Sequence, residues 1–513
     1  MEVRARMIYK VRFFNIIQNL IINSRIIFPA IAGSISASAF IVSQPFFLVI
    51  GLSFFILSLQ NKTIKVSDRV GLSYGLAYSL VGVSWFFVVD EQYQATSHTV
   101  LLGFELLAIL LMSIPFAVVG VFVTLFSIKS RQSIFWFITI VAPSLTLLEW
   151  VKTWLLTGFP WFQVSHLFSG TFFKGWFAIF GDIGVSFLFY LLVSSLCYVI
   201  VNPNKSKNIP LLSMAISVFI LATLVVSNIE YTSVEKGKTL NVQIINDTAS
   251  LEEDSTYEGR INRIKKYQKI ALDADEVDIS VWPETSTGAG VFSDIQYDVS
   301  DGFSQLKQKG VKIYFGSYRR EGLYVKNSIF SSFSEDEVYT KQHLIPVGEY
   351  IPNWFALFDM WIPGTFQSST ISDLSLNKAL THNGIDIAPM ICYEVLFSNE
   401  LRKRSNNAGI LIVVSNLKAL KPKWAKNYFF NLSKIRAMEF QKPLIQSTNS
   451  GFSGVISSNG KVIKKQSTSL AVILENIQSR RGNTPFAKYG YSVIILICIL
   501  LLLVGTWRAI KMA

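Results

Sequence analysis

Cysteine and histidine are scarce in this chain, three of the one and four of the other in 513 residues. Cys197 and Cys498 lie in apolar spans, which leaves Cys392 alone in the large polar segment. No disulfide framework can be drawn from such a set, and the count carries no evidence about compartment. Nor do so few histidines and thiols form a ligand cluster, so no metal and no other cofactor is expected. Charge is thin as well: 16% of residues are charged against 51% hydrophobic, with a mean hydropathy of +0.40. That balance excludes an ordinary soluble globular chain and points to a polytopic membrane protein. A repeat of fixed period and a low-complexity linker are both missing. No cleavable leader is expected either, because the apolar run near residue 30 has no clear small-residue cleavage site and further spans follow at once. The charge that is present is mostly basic. A net +13 suits an anionic lipid surface, and no recognition motif accompanies it, so no nucleic-acid partner is expected.

A chain of this length exceeds one compact core, so at least two domains are expected. Arg4, Arg6, Lys10, Arg12 and Arg25, interleaved with Ile and Phe, read as a basic amphipathic segment on the cytoplasmic face. Seven apolar segments follow, near 27–43, 45–60, 70–89, 99–127, 134–155, 182–201 and 209–228, with an eighth near 489–507. The first two are short and divided by little more than Gln44-Pro45, the pattern of a tight helical hairpin. With the N-terminus inside, the inside connections carry Lys62, Lys65 and Arg69, then Lys129 and Arg131, then Lys205 and Lys207; Arg508 and Lys511 end the chain. One outside loop holds Asp90 and Glu91 and no basic residue. Every short connection therefore agrees with positive-inside placement, which predicts residues 229–488 outside the cytoplasm; in a two-membrane bacterium that is the periplasmic side of the inner membrane.

Within 229–488 the pattern alternates. Runs at 240–245, 277–282, 311–315, 385–392 and 410–414 read as strands, and 257–274 and 300–309 as helices. Strands alternating with helices predict an α/β layered domain. Three short motifs stand just after β-type runs: Val281-Trp282-Pro283-Glu284, Lys341-Gln342-His343-Leu344-Ile345-Pro346-Val347-Gly348-Glu349, and Ile391-Cys392-Tyr393-Glu394. Taken singly, the cysteine reads as a small buried hydrophobe, the glutamate as a strand end and the lysine as a surface amine. Taken together they offer a nucleophile, a group to accept its proton and a cation to stabilise an oxyanion, the requirements of acyl chemistry on a thiol.

These motifs, in this order and spacing, resemble the nitrilase-like half of bacterial apolipoprotein N-acyltransferases, and the resemblance extends over nearly the whole chain. It implies a nitrilase-type α-β-β-α sandwich (229–488) beside an α-helical polytopic domain of about eight spans (1–228 and 489–513). It also implies a Glu-Lys-Cys triad with Glu284 as general base, Lys341 as oxyanion stabiliser and Cys392 as nucleophile. Glu349, Tyr393, Glu394 and Asn327 match positions that support the triad or contact substrate. The implied donor is a phospholipid, the implied acceptor a diacylglyceryl lipoprotein, and the protein is expected to act as a monomer in contact with membrane lipid. Two other readings stand beside it: a membrane-tethered carbon–nitrogen hydrolase, since the same triad serves amidases, and a non-catalytic lipid-binding paralogue. The second is motivated by two departures from the family. Ser415-Asn416 runs into Leu417-Lys418-Ala419-Leu420 where the family has an Asp and a Trp-Phe-Gly turn, and Glu252-Glu253 stands near the place of a lid tryptophan. Lys418 to Lys426, with Lys421, Lys423 and Trp424, reads as a basic aromatic loop, either solvated or resting on phosphate head groups. In the apolar half, Glu149 is a bundle-facing structural contact or a functional group, and Trp154 and Trp161 suit an interfacial belt or the lining of a lipid path.

Overall fold

The computed structural model describes residues 26–512 apart from 61, 86–97, 127–132, 171, 203–208, 249, 323, 333–337, 347–348, 351–379 and 468–469. The basic segment before residue 26, the acidic loop at Asp90-Glu91 and the basic pairs at 129/131 and 205/207 lie outside the described residues. All eight apolar segments contain a helix. They are α1 (Ile27–Val42), α2 (Pro45–Ser58), α3 (Ile64–Gly82), α4 (His98–Leu125), α5 (Ile134–Lys152), α6 (Lys174–Val201), α7 (Ile209–Val226) and, at the far end of the chain, α12 (Ser492–Met512). Only four stretches, Glu105–Leu125, Ile134–Lys152, Lys174–Val201 and Ser492–Lys511, are long and apolar enough to cross a membrane among the described residues. At 16 and 14 residues, α1 and α2 fall short of the roughly 20 that a perpendicular crossing takes. They pack as a close pair, since a β-carbon on Gly51 would collide with Ala32 and Ser36.

The polar segment is a sandwich of two six-stranded sheets. The first runs β12-β1-β2-β3-β4-β5, built from β1 (Ser233–Asn246), β2 (Ile279–Val281), β3 (Lys312–Glu321), β4 (Tyr324–Ser331), β5 (Val338–Thr340) and β12 (Ala471–Arg481). The second runs β11-β10-β9-β8-β7-β6, from β6 (Leu380–His382), β7 (Ile385–Ile391), β8 (Ile410–Asn416), β9 (Leu444–Asn449), β10 (Ser453–Ile456) and β11 (Val462–Gln466). Each sheet has a parallel centre, β1-β2-β3 and β7-β8-β9, with a helix in each crossover. These helices are α8 (Tyr257–Asp273), α9 (Gln296–Lys309), α10 (Ser398–Ser405) and α11 (Lys423–Phe440). Strand alternation divides the apolar residues: Val242 and Ile244 join the core between the sheets, whereas Ile245 joins Ile264, Tyr267 and Leu306 under α8 and α9. This is the expected α-β-β-α layering.

Two details differ from the sequence reading. Residues 423–426, read as loop, form the first turn of α11, with Pro422 just before it. Trp161 is buried rather than at an interface: its ring stacks on Tyr428 of α11 at 5.3 Å, while Trp154 is half-exposed.

Candidate active site

Parallel strands end together, and side chains just beyond their carboxyl ends converge on one crevice. Glu284 follows β2 after the fully buried Trp282. Its turn is tied down by hydrogen bonds from the Gly316 amide to the Pro283 carbonyl and from the Ser286 amide to the Gly316 carbonyl. Thr285, next in line, has φ +53°, and buried Arg263 donates to the Thr285 and Ser286 carbonyls at 2.8 and 2.7 Å. Gly316 has to be glycine for this turn to close, because a β-carbon there would lie 2.5 Å from the Glu284 Cα. A Gly316→Ala protein is therefore expected to lose about 1–3 kcal/mol of stability. If Glu284 takes part in catalysis, displacing it by about 1 Å should also slow turnover about a hundredfold. Thermal melting and a rate measurement on the same preparation check both.

Lys341 stands one residue past β5, its amide bonded to the Asn327 carbonyl of β4 at 2.9 Å. Cys392 stands one residue past β7, at the head of a short 3-10 turn (Cys392–Leu396), with φ +49°. A β-carbon is rarely found in that left-handed region, and such strain collects at reactive positions.

Lys341 and Glu284 approach each other, and Cys392 stands within electrostatic reach of both. Glu284, Lys341 and Cys392 are 4%, 2% and 7% exposed. Lys341 Nζ lies 3.7 Å from Glu284 Oε1 and donates to Glu349 Oε1 at 2.7 Å. Asn327 Nδ2 donates to Glu284 Oε1 at 2.7 Å and to Glu349 Oε1 at 3.3 Å. The backbone amide of Asn416, at the end of β8, donates to Glu284 Oε2 at 2.6 Å and also faces the Cys392 thiol. Asn416 was missed in the sequence. Ser415-Asn416 ending a strand is the only signal there, and the group that matters is a main-chain N–H, which every residue but proline carries.

Burial sets the charge states. It pushes the Cys392 thiol well up; Glu284 reinforces this and Lys341 opposes it, so the resting sulfur holds its proton. Burial also raises the Glu284 carboxyl, against the pull of Lys341. For Lys341 burial works against the charge, but the Glu349 and Glu284 carboxylates outweigh it and keep the amine an ammonium. A thiol that gives up its proton only as it attacks, a carboxylate with raised proton affinity and a fixed cation together suit nucleophilic attack on a carbonyl.

The other residues singled out fall into place around this cluster. Glu394 does not touch it. Its Oε1 accepts from Tyr339 Oη and the Gln342 amide at 2.7 and 2.8 Å, and its Oε2 from the Ile391 amide at 2.7 Å. A single buried carboxylate thus joins the loop that carries Lys341 to the strand that carries Cys392. Tyr393 points the other way and donates to the Gly158 carbonyl of the apolar half at 3.1 Å. His343, two residues after Lys341, has its Nδ1 2.7 Å from Glu400 and its ring stacked on Phe397, so its polar contact is outside the cluster.

The sandwich is joined to the apolar half by further buried polar contacts. Tyr428 of α11 accepts from the Phe162 amide at 2.9 Å and lies 2.6 Å from His166 Nδ1. Arg436 Nη2 lies 2.8 Å from Asp182 Oδ2, and the Asp182 amide donates to Glu439 at 2.9 Å. Glu149 accepts from the Val164 amide, Ser186 and Tyr190 at 3.0, 2.6 and 3.1 Å, which makes it a bundle-facing structural contact.

Residues 32–195 match the apolipoprotein N-acyltransferase N-terminal domain, and residues 253–485 match the carbon-nitrogen hydrolase family. Among relatives, the apolipoprotein N-acyltransferase of Shewanella oneidensis is 26% identical over 468 residues, 87% of this chain and 88% of that one. That of Photobacterium profundum is 25% identical over 486 residues, 91% of each chain. Among solved structures, a CN-hydrolase superfamily protein of Xanthomonas campestris aligns over 47% of this chain and 91% of its own, at 16% identity and a TM-score of 0.35.

Proposed function

From a chain that matches apolipoprotein N-acyltransferases along both halves, we propose a phospholipid-dependent N-acyltransferase that matures lipoproteins. Glu284 takes the thiol proton as Cys392 Sγ attacks the ester carbonyl of a glycerophospholipid. Lys341 and backbone amides beside Cys392 hold the oxyanion. When the tetrahedral adduct collapses, the lysophospholipid oxygen leaves with the proton from Glu284, and a thioester remains. The α-amino group of an N-terminal diacylglyceryl-cysteine then attacks the thioester, Glu284 accepts its proton, and the thiol is restored as the amide forms. The observation that carries this reading is the buried grouping of the Cys392 thiol with the Glu284 carboxylate and the Lys341 ammonium, the Asn416 amide being shared between the first two.

The same reading assigns residues 1–228 and 489–513 to a bilayer domain of about eight crossings in a bacterial inner membrane. It assigns residues 229–488 to a periplasmic catalytic domain acting as a monomer, with Glu349 and Asn327 setting the charge of the triad. Intact-protein mass spectrometry tests it. Incubation with phospholipid should add the mass of one acyl chain at Cys392, and a diacylglyceryl-cysteine peptide should remove it. Hydrolysis of a soluble amide, with no lipid-derived adduct, would make the protein an amidase instead.

A pH profile tests the base. Glu284 works only as the carboxylate, so activity is present above its raised pKa and lost below it; the acid limb should lie above the ordinary glutamate value of about 4.3. Asn327→Ala removes a donor that favours the carboxylate and should move the limb to higher pH. Glu349→Gln removes a repelling charge and should move it lower. A limb unmoved by either change would assign the titration to another group.

A further inference from the structure

The basic stretch after β8 divides in two. Lys418 pairs with Asp254 at 2.6 Å, which ties one atypical loop to the other. The lysines beyond it are arranged differently. One face of α11 presents Lys423, Asn427, Phe430 and Lys434, at helical spacings of four, three and four. Lys465, on the edge strand β11, lies across from them. Its ammonium sits 4.5 Å from the Phe430 ring centre and 4.0 Å from that of Phe452, and it donates to Asn427 Oδ1 at 2.7 Å. The rings hold this cation without neutralising it. Among the described residues no carboxylate forms an ion pair with Lys423, Lys434 or Lys465. Burial, with Lys434 and Lys423 adding repulsion, pushes Lys465 down to about 8, and burial lowers Lys434 too.

The cluster stands at the seam between the two halves of the protein. A β-carbon on Gly170, in the connection between α5 and α6, would lie 3.3 Å from Lys434 Nζ. Trp424, in the first turn of α11, lies 6.4 Å from Phe162 of the same connection, ring to ring. Lys434 and Lys465 are half-buried and Lys423 is exposed; cations gathered with no ion-paired carboxylate among the described residues are relieved by one group with several acceptor oxygens. Their place at the edge of the apolar half selects a group carried on the bilayer surface.

We propose that Lys423, Lys434 and Lys465 bind the phosphate of an anionic phospholipid headgroup, at a site separate from Glu284, Lys341 and Cys392. This rests on the bilayer placement proposed above and not on the chemistry at Cys392, so the two readings fail separately. The test is native mass spectrometry of the full chain released from phosphatidylcholine nanodiscs containing phosphatidylglycerol. The wild type should retain phosphatidylglycerol in preference to phosphatidylcholine. The K434Q/K465Q variant should lose about thirtyfold of that preference, while K434R/K465R keeps it. Equal retention by wild type and a glutamine variant that melts with it would overturn the site. So would displacement of the lipid by inorganic phosphate, which would mark a site for a free solute. Should the glutamine variant melt early, the wild type decides alone, because no preference over phosphatidylcholine overturns the proposal. Phosphatidylglycerol preference without any adduct at Cys392 would sink the acyl-transfer reading and leave this one standing.

Discussion

Cys392→Ala should abolish the proposed acyl adduct and lower turnover by about a millionfold, the scale on which enzymes lose rate when a covalent nucleophile is removed. Among the described residues, neither the histidine nearby nor another cysteine can take its place. His343 is engaged with Glu400 and Phe397, and the remaining cysteines, Cys197 and Cys498, belong to helices of the apolar half. Activity of Cys392→Ala in a cellular assay equal to that of the wild type would make the protein a lipid-binding factor. The same position gives a test of strain. Both Cys392→Ala and Cys392→Gly lack the sulfur, but only glycine accepts φ +49° without penalty, so the glycine protein should be the more stable of the two inactive variants by about 1 kcal/mol. Denaturant midpoints that place alanine level with glycine would mean the turn relaxes freely and no strain resides there.

Lys341→Met should lower the rate of thioester formation by about 10²–10³, the usual loss when one oxyanion donor is removed. It should also move the acid limb of the pH profile upward. Lys341 favours the charged form of Glu284, and without it the base stays protonated to higher pH, where activity is then lost. Lys341→Arg should not rescue. The amine is buried between Glu349 at 2.7 Å and Glu284 at 3.7 Å, where a planar guanidinium cannot reproduce a compact ammonium. Stopped-flow acylation across pH separates the two effects, and a lower plateau with an unmoved limb would place Lys341 away from Glu284 in the working enzyme.

The parts of this site that were legible in the sequence were those written in side-chain chemistry. A thiol, a carboxylate and an amine after β-type runs remain visible however the strands are ordered. Central strands were legible because Ile, Val and Leu fill both faces, as at Ile410–Asn416. Less was visible where hydrogen bonding replaced hydrophobicity. Strand β9, not among the strand-type runs of the sequence, ends in Ser447, Thr448 and Asn449, all buried, whose polar groups find partners such as the Ile245 carbonyl across the sandwich. Strand β12 leaves Val472 and Leu474 largely exposed while Ile473 and Ile477 face inward, so its apolar run gives no clean alternation. The contacts that seat the sandwich on the apolar half, Tyr393 to Gly158 and Arg436 to Asp182, join residues hundreds of positions apart, and no local pattern announces them.

Strands β1 and β12 are the first and last of the sandwich, and they lie side by side. The chain passes from α7 into β1, and from β12 through a short helix (Pro485–Tyr489) into α12, with only a few residues between. The catalytic half therefore hangs from two short tethers at one edge, and Tyr393, Tyr428 and Arg436 bolt it down elsewhere. A body fixed at several points cannot swing to meet its reactants. The sulfur stays still and lipid-borne molecules have to travel to it within the plane of the sheet they occupy, so turnover in stiff, gel-phase lipid should fall with lateral diffusion even though every contact around Cys392 is intact.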